Sequence, residues 1–516
     1  MLSILVWLPL VAAIILFLIP TKIDNVRIRL VALTFSVVSL VASCLTVFRY
    51  DLQAQGLQLT EFLPWLEFLG INYNLGIDGL SLPLIILSNL LICLAIYSGD
   101  LAKAEKDTFA RPRLFYGLIL ILSGCINGAL LAQNLLLFFI FYEIKLIPTY
   151  LLINIWGGKN RGYAGTKYLL YTAFSGIFVL AAFLGIAFLT ESSFDYETIQ
   201  TSVLPYSKQL ILLITIIVGF AIKTPLVPLH TWLPDAYTES STPVSMILGG
   251  ILSKLGTYGL IRFGLGLFPQ LWNDIAPWLA AIAALSALYA SFVAISQTDI
   301  KRMIAYSSVA HIAFVVLATA AGTSIAVTGA ICQMFAHGLI VALLFYLAGI
   351  VEAKTGSRDL SILKGLMNPQ RGLPVIGGQM ILAVMASAGI PGMVGFVGEY
   401  ISFQGSFTVF PLWTIFSLVA TGLTSIYFVI MLNKAFFGKI DCRQTPTVYP
   451  KVRLAERVPA FVLAVIIVVL GVQPVWLTNI TNYSIVASYP TNKTVVAVNA
   501  HQNENSRKLT GDTFQF

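Results

Sequence analysis

Apolar residues run along this chain in long blocks, with the polar ones collected between them. About fourteen stretches of roughly 20 apolar residues, the length that crosses a hydrocarbon core, begin near residues 2, 30, 79, 114, 134, 168, 209, 242, 275, 303, 324, 374, 409 and 458. The pattern predicts an all-α polytopic membrane protein of about 14 transmembrane helices. The first block has no positive region before it and runs through Pro20 into Lys22 without a small-residue cleavage site, so it reads as a retained helix.

Two blocks contain helix breakers. The seventh carries Lys223-Thr-Pro225-Leu-Val-Pro228-Leu-His230, and the twelfth carries Gly389-Ile-Pro391-Gly392 with Glu399 just beyond. Each proline removes a backbone donor and disrupts the preceding turn, so helices 7 and 12 are expected to be broken. Interrupted helices at corresponding places in two halves point to inverted repeats around a transport site. The expected organisation is a three-helix segment over 1–113, repeat 1 over 114–263 (helices 4–8) and repeat 2 over 264–437 (helices 9–13). An inner loop with the last helix follows over 438–480, then a polar, loosely ordered tail over 481–516. The long loop from Arg49 to Asp78 holds Leu59 to Ile71 with Phe62, Trp65 and Phe68, read as an interfacial amphipathic piece.

Composition agrees with lipid as the solvent. Of 516 residues, 58% are apolar and 10% charged, against about 25% charged in soluble domains. With the N-terminus placed outside, the inner loops collect Lys22 to Arg29, Lys103 to Arg113, Lys159 to Lys167, Lys301 with Arg302, Lys354 to Arg371 and Lys434 to Arg457. Arg49, Lys208, Arg262, Lys493, Arg507 and Lys508 remain outside or at the outer edge. This asymmetry follows the positive-inside rule and puts both termini on the outer side. Five scattered cysteines (Cys44, Cys93, Cys125, Cys332, Cys442) show no metal-ligand spacing, and no nucleotide-binding fingerprint occurs. No iron-sulfur, zinc, NAD or ATP site is expected in this chain, and no nucleic acid.

Charge inside the blocks is where function is sought. Lys145, Lys223 and Lys254 are intramembrane cations, Glu143 and Glu399 the anions, and His230, His311 and His337 lie in or at the ends of apolar blocks. Ionisable groups at membrane depth are costly and mark ion paths or proton relays by default. A structural ion pair is the plain alternative for Glu143, and a hydrogen-bonded helical histidine for each His, with His337 favoured as a relay by its depth. Lys223 lies about fourteen residues, or ~21 Å, from the outer start of its helix and Lys254 about twelve from the inner start of the next, so neither reaches water easily. Lys145, two residues from Glu143, is expected on another helix face, snorkelling or locally paired. A charge pair at 4 Å and an effective dielectric of 20 is worth about 4 kcal/mol, enough for Glu143 to decide whether Lys223 keeps its proton.

The stretch Phe220-Ala-Ile-Lys223-Thr-Pro-Leu-Val-Pro-Leu-His230-Thr-Trp-Leu-Pro-Asp235-Ala resembles the hallmark of the antiporter-like proton-pumping subunits of complex I. Tyr142-Glu143 before Leu146-Ile-Pro148, Trp156-Gly-Gly, Gly250-Ile-Leu-Ser-Lys254-Leu-Gly-Thr-Tyr-Gly, Asp299-Ile-Lys-Arg-Met-Ile-Ala-Tyr-Ser-Ser-Val-Ala-His311 and Gly389-Ile-Pro-Gly-Met-Val-Gly-Phe-Val-Gly-Glu399 extend the likeness over nearly all the blocks. A carboxylate on the twelfth helix marks the chain 4 type, and Leu-Ile-Pro-Thr-Tyr and Trp-Gly-Gly-Lys-Asn-Arg look like its cyanobacterial and chloroplast branch. The resemblance implies a proton-translocating membrane-arm subunit of an NAD(P)H/ferredoxin-plastoquinone oxidoreductase in thylakoid membranes. Glu143 and Lys223 would be the modulating pair, Lys254 the central relay, His311 and His337 conductors to Glu399. Iron-sulfur clusters and plastoquinone would belong to other subunits, with membrane-arm neighbours and lipid as direct partners and the redox arm as an indirect one. Lys145 departs from the branch, which tends to be acidic there, and this suggests a variant for carbon dioxide uptake with a carbonic-anhydrase-like partner. A subunit of a multi-chain sodium/proton antiporter is the alternative.

Overall fold

The computed structural model describes residues 1–20, 24–52, 54, 56–66, 68, 70–102, 111–439 and 449–488, the side chains of 482–488 excepted. Lys22, Lys103, Lys106, Arg443, Lys493, Arg507, Lys508 and Cys442 lie outside the described residues.

Nineteen α-helices follow one another among the described residues: α1 Leu2–Leu18, α2 Asn25–Arg49, α3 Ser81–Tyr97, α4 Pro112–Leu131, α5 Leu135–Ile144, α6 Leu146–Trp156, α7 Arg161–Thr190, α8 Tyr206–Lys223, α9 Trp232–Glu239, α10 Thr242–Ile247, α11 Lys254–Gly259, α12 Pro269–Ile295, α13 Ile300–Ala321, α14 Ser324–Thr355, α15 Pro374–Ser387, α16 Val394–Phe407, α17 Pro411–Ala435, α18 Leu454–Val472 and α19 Val475–Ser488. Among the described residues, eleven helical stretches are long and apolar enough to cross a membrane, two of them composite: α5 with α6, and the run from α10 through α11 to Leu265. Leu2–Leu18, Ser81–Tyr97 and Pro374–Ser387 are shorter apolar helices.

Burial sorts the helices into a centre and a rim. The central windows of α14 and of Thr242–Leu265 are wholly buried, and α4 and α13 are nearly so. α2 and α18 bury little more than a quarter of theirs and show Leu30, Val41, Phe461 and Val469 to the outside. Lipid tails are as apolar as leucine, so these helices associate by close packing rather than by the hydrophobic effect. The 32-residue α14 is the axis. Its Gly329 packs on the Ser402 backbone, and Gly398 and Gly405 of α16 meet the backbones of Gln333 and Ala326. A side chain at any of these glycines would part the two helices.

Both expected breaks are present. After Lys223 the chain is irregular until α9, with a cis Val227–Pro228 peptide. Between α15 and α16 the turn uses Gly389 and Gly392 in left-handed conformations, φ +67° and +88°. A third break is additional: α5 gives way to α6 at Lys145, where Pro148 has no N–H to return to Ile144. Two π turns, Leu248–Leu252 and Leu260–Leu265, flank α11.

Two expectations need correction. The described residues from Leu59 to Leu66, with Ile71, belong to a β-hairpin, β1 Gln58–Leu66 paired antiparallel with β2 Ile71–Ile77, in which Phe62 faces Asn74 and Leu63 faces Tyr73. Ile71–Ile77 supplies the backbone partners that stabilise an extended form, and Gly70 at φ +68° allows the reversal. The aromatic residues Phe62, Trp65 and Phe68 remain exposed. At the other end, α19 runs to Ser488, past the expected start of the polar tail at 481; residues 489–516 lie outside the described residues.

Candidate functional site

The first cluster forms where α5, α7 and α8 meet. Lys223 is the last residue of α8, and its Nζ donates to Glu143 Oε1 at 2.8 Å. Glu143 lies against Gly176 of α7, where a Cβ would come within 2.7 Å of the carboxyl carbon. The Lys223 ammonium is also 3.6 Å from the centroid of the buried Tyr142 ring, a cation–π contact. Glu143 and Lys223 are thus brought together as expected.

Lys145 is placed otherwise than expected. It is 3% exposed, its Nζ donates to the Tyr142 carbonyl, and it too lies 3.6 Å from the Tyr142 ring centroid. It does not snorkel. Residues two apart point to different faces, but Tyr142 and Lys145, three apart, share one, and the Lys145 side chain turns to Tyr142 and so to the side of Lys223. The spacing from Tyr142 was the available signal.

The second cluster is a line of contacts through the buried centre. Lys254 Nζ donates to the carbonyl of Gly249, released by the π turn, and shares a 2.8 Å hydrogen bond with His337 Nδ1. The His337 and His311 rings stack with centroids 5.5 Å apart. His311 Nδ1 lies 3.1 Å from Glu399 Oε1, and its Nε2 lies 3.3 Å from Ser387 Oγ. All four ionisable groups are less than 5% exposed. Beside them is a cavity of about 10 Å³, lined by His311, Gln333, His337, Ser387 and Glu399, among others, and the buried Gln333 Oε1 has no hydrogen-bond partner. Sequence reasoning missed Gln333 and Ser387, because a lone amide or hydroxyl in an apolar block has no distinctive spacing. The glycine pair Gly249-Gly250 was the signal for the π turn.

His230 stands apart from this line. It follows Pro225 and Pro228 in the break, with its ring 5.3 Å from Tyr289 and 6.2 Å from Tyr306, and its Nδ1 has no hydrogen-bond partner. Pro391 lies in the break before Glu399. The ring contacts of His230, to Tyr289 and Tyr306, lie off the line from Lys254 to Glu399.

Several cations of the loops between the apolar helices are not simply solvated. Lys167 and Arg302 share Asp235, Lys301 meets Glu352 at 2.6 Å, Lys354 meets Glu456, and Arg358 joins Asp299 at 2.6 Å to Glu239 at 3.1 Å. Burial pushes the Asp299 carboxyl above its ordinary value against the pull of Arg358. Elsewhere Arg262 binds Asp78 at 2.6 Å; burial opposes ionisation of Asp78, but Arg262 and the hydrogen bonds of Ser81 hold its carboxyl below the usual range. Among the described residues, no group of three or more His, Cys, Asp or Glu side chains could hold a metal ion.

The profile of the family described as NADH:quinone oxidoreductase/Mrp antiporter, TM, matches residues 132–424. The chain is 40% identical over 441 residues to NAD(P)H-quinone oxidoreductase chain 4 1 of Picosynechococcus sp., covering 84% of this chain and 80% of that one. It is 38% identical over 487 residues to chain 4 2 of Thermosynechococcus vestitus, covering 92% and 89%. Among solved structures, a chain of respiratory complex I from Thermus thermophilus with bound NADH superposes with a TM-score of 0.83 at 26% identity, over 93% of this chain and 98% of that one. A chain of the Mrp complex from Dietzia sp. shares the fold, with a TM-score of 0.82 at 20% identity over 96% and 98%. Profile, relatives and fold agree, and the chain belongs to the NADH:quinone oxidoreductase/Mrp antiporter family of membrane subunits, on the NAD(P)H-quinone oxidoreductase chain 4 branch.

Proposed function

We propose that this chain is a proton-translocating membrane-arm subunit of an NAD(P)H/ferredoxin-plastoquinone oxidoreductase, with Glu143, Lys223, Lys254, His337, His311 and Glu399 as its proton relay. The observation that carries this reading is the contact line from Lys254 through His337 and His311 to Glu399. At 2.8 Å and an effective dielectric of ~20, Glu143 holds the Lys223 proton with a gross attraction of about 6 kcal/mol. Withdrawal to ~7 Å would leave about 2.4 kcal/mol, a loss of more than two powers of ten in proton affinity. Movement of one carboxylate therefore becomes release of a proton toward Lys254, from which the histidines pass it to Glu399. His230 is a secondary member, off the line.

The same reading assigns α4 to α11 and α12 to α17 to two inverted repeats, helices 4–8 and 9–13 of the sequence count. Its support is that a proline-containing break with an ionisable group of the path lies in each half, α8–α9 with Lys223 and α15–α16 with Glu399, although the first half has a further break at α5–α6. The basic loops favour both termini on the lumenal side of a thylakoid membrane. Moving a proton against 100 mV costs about 2.3 kcal/mol, so redox subunits carrying iron-sulfur clusters and plastoquinone must be bound alongside. A carbon dioxide uptake complex with a carbonic-anhydrase-like protein is the more specific assignment.

The test is twofold. A tagged chain, purified from gently solubilised native membranes, should bring with it iron-sulfur and quinone-site subunits, and for the uptake form a soluble carbonic-anhydrase-like protein. Recovery of small antiporter subunits alone would favour sodium/proton exchange. In vesicles of the intact complex, Lys223→Ala should stop the proton transport that depends on this chain; transport at the wild-type rate would refute the relay.

A further inference from the structure

The relay has a gap between its two histidines. His337 Nδ1 is engaged with Lys254 at 2.8 Å, His311 Nδ1 with Glu399 at 3.1 Å and His311 Nε2 with Ser387 Oγ at 3.3 Å. The rings themselves meet as a stack, and among the described residues no hydrogen bond joins them. A proton on His337 therefore has Nε2 as its way onward and needs a carrier from there to His311. The cavity of about 10 Å³ lies at this place, with His337, His311, Ser387, Glu399 and Gln333 in its wall, and its volume is about that of one water. Gln333 Oε1 is a buried oxygen without a hydrogen-bond partner, and Gly398 leaves room for it, since a Cβ there would collide with that atom.

We propose that Gln333 is a positioning residue of the relay, whose Oε1 holds an ordered water that carries the proton from His337 to His311. The inference rests on the relay reading above and deepens it at the same site. A buried carbonyl oxygen in a native core finds a partner, often an ordered water, and the other polar groups of this wall supply the further contacts that such a water needs. An amide oxygen only accepts. Gln333 thus binds one O–H of the water and turns its lone pairs and its second O–H to the groups between which the proton moves. The N–H bond that breaks is on His337 Nε2. The water oxygen takes that proton and gives its second hydrogen to Ser387 Oγ, and the Ser387 hydroxyl proton goes to His311 Nε2. From His311 Nδ1 a proton passes to Glu399 Oε1. Gln333 itself does not titrate.

The experiment uses inverted membrane vesicles containing the assembled complex, with reductant-driven acidification read by a pH-gradient dye and normalised to assembled chain on native gels. Gln333→Met fills the same volume with only a weakly accepting sulfur. It should lower the proton transport that depends on this chain about tenfold or more, as the loss of a positioned proton carrier does. Gln333→Ser is small and polar, and the room it opens admits a further water, so its transport should stay several-fold above that of Gln333→Met. A packing role predicts the opposite order, because the volume-conserving change disturbs a core least. Transport in Gln333→Met within about twofold of wild type, or in Gln333→Ser no higher than in Gln333→Met, with normal assembly, overturns the proposal. Gln333→Leu gives the same reading should the methionine variant assemble poorly. A density map of the intact complex that shows ordered water should place one within hydrogen-bond reach of Gln333 Oε1, and protein atoms alone around that oxygen would overturn the proposal as well. Lys254→Met separates the two levels: wild-type transport in that variant removes the relay itself, whereas its loss beside wild-type transport in Gln333→Met removes only the role of Gln333.

Discussion

Replacing His337 with phenylalanine tests whether the central line conducts. The new ring fills the old volume and preserves the stack on His311, now at 23° between planes, but it removes both nitrogens. Lys254 then keeps only the Gly249 carbonyl, at a cost of about 1–3 kcal/mol for the lost partner. The next proton acceptor is the His311 ring, centred 5.5 Å beyond the ring that was replaced. A proton hop needs heavy atoms about 2.6–3.2 Å apart or one water between them, for which the cavity lined by His311 and His337 is the place, and a positioned acid–base group contributes about 10²–10⁴ in rate. The proton transport that depends on this chain should therefore fall at least a hundredfold, to the level of Lys254→Met. The assay is dye quenching in inverted vesicles, normalised to electron transfer and to assembled chain on native gels. Pumping per electron within twofold of wild type in His337→Phe, with normal assembly, would refute the idea that protons pass through His337.

Two further outcomes follow from the packing and from the Asp78–Arg262 ion pair. Gly398→Ala would bring a methyl group to 2.7 Å from Gln333 Cα and force α14 from α16 beside Glu399; we expect a loss of about 1–3 kcal/mol, read as a lower melting temperature of the solubilised complex, and slower pumping. Asp78 is held below its ordinary carboxyl value, so the stability it supplies is fully present above an unfolded value of about 3.9 and is lost as pH falls through the folded value. Melting curves should show this acid-side loss in wild type but not in Asp78→Asn, which instead should be weaker already at pH 7, because Arg262 keeps a buried charge without its carboxylate.

The sequence by itself determined the helical membrane architecture, because a hydrocarbon solvent admits long apolar blocks only as closed helices. It also located the two broken helices, since Pro225, Pro228 and Pro391 act on their own backbone wherever the chain is placed. The ionisable residues stood out for the same reason: a charge such as Lys254 in an apolar block is conspicuous without any knowledge of its neighbours. Partnership was a different matter. That Lys254 meets His337, that His311 lies between His337 and Glu399, and that His230 stands aside depend on how α11, α13, α14 and α16 cross, and the close approach at Gly329, Gly398 and Gly405 is a property of two surfaces at once. The loop cations show the same limit, for their acidic partners Asp235, Glu239, Asp299 and Glu352 come from segments far apart in the chain. Lys145 is the sharpest case. Its spacing from Glu143 predicted a different face and its spacing from Tyr142 the same one, yet only the tertiary arrangement of α5, α6 and α8 placed the Lys223 ammonium on that same ring. A local pattern sets backbone conformation and solvent preference, but Coulomb energy and hydrogen bonding act over a few ångströms in space, and in this chain those ångströms join residues scores of positions apart.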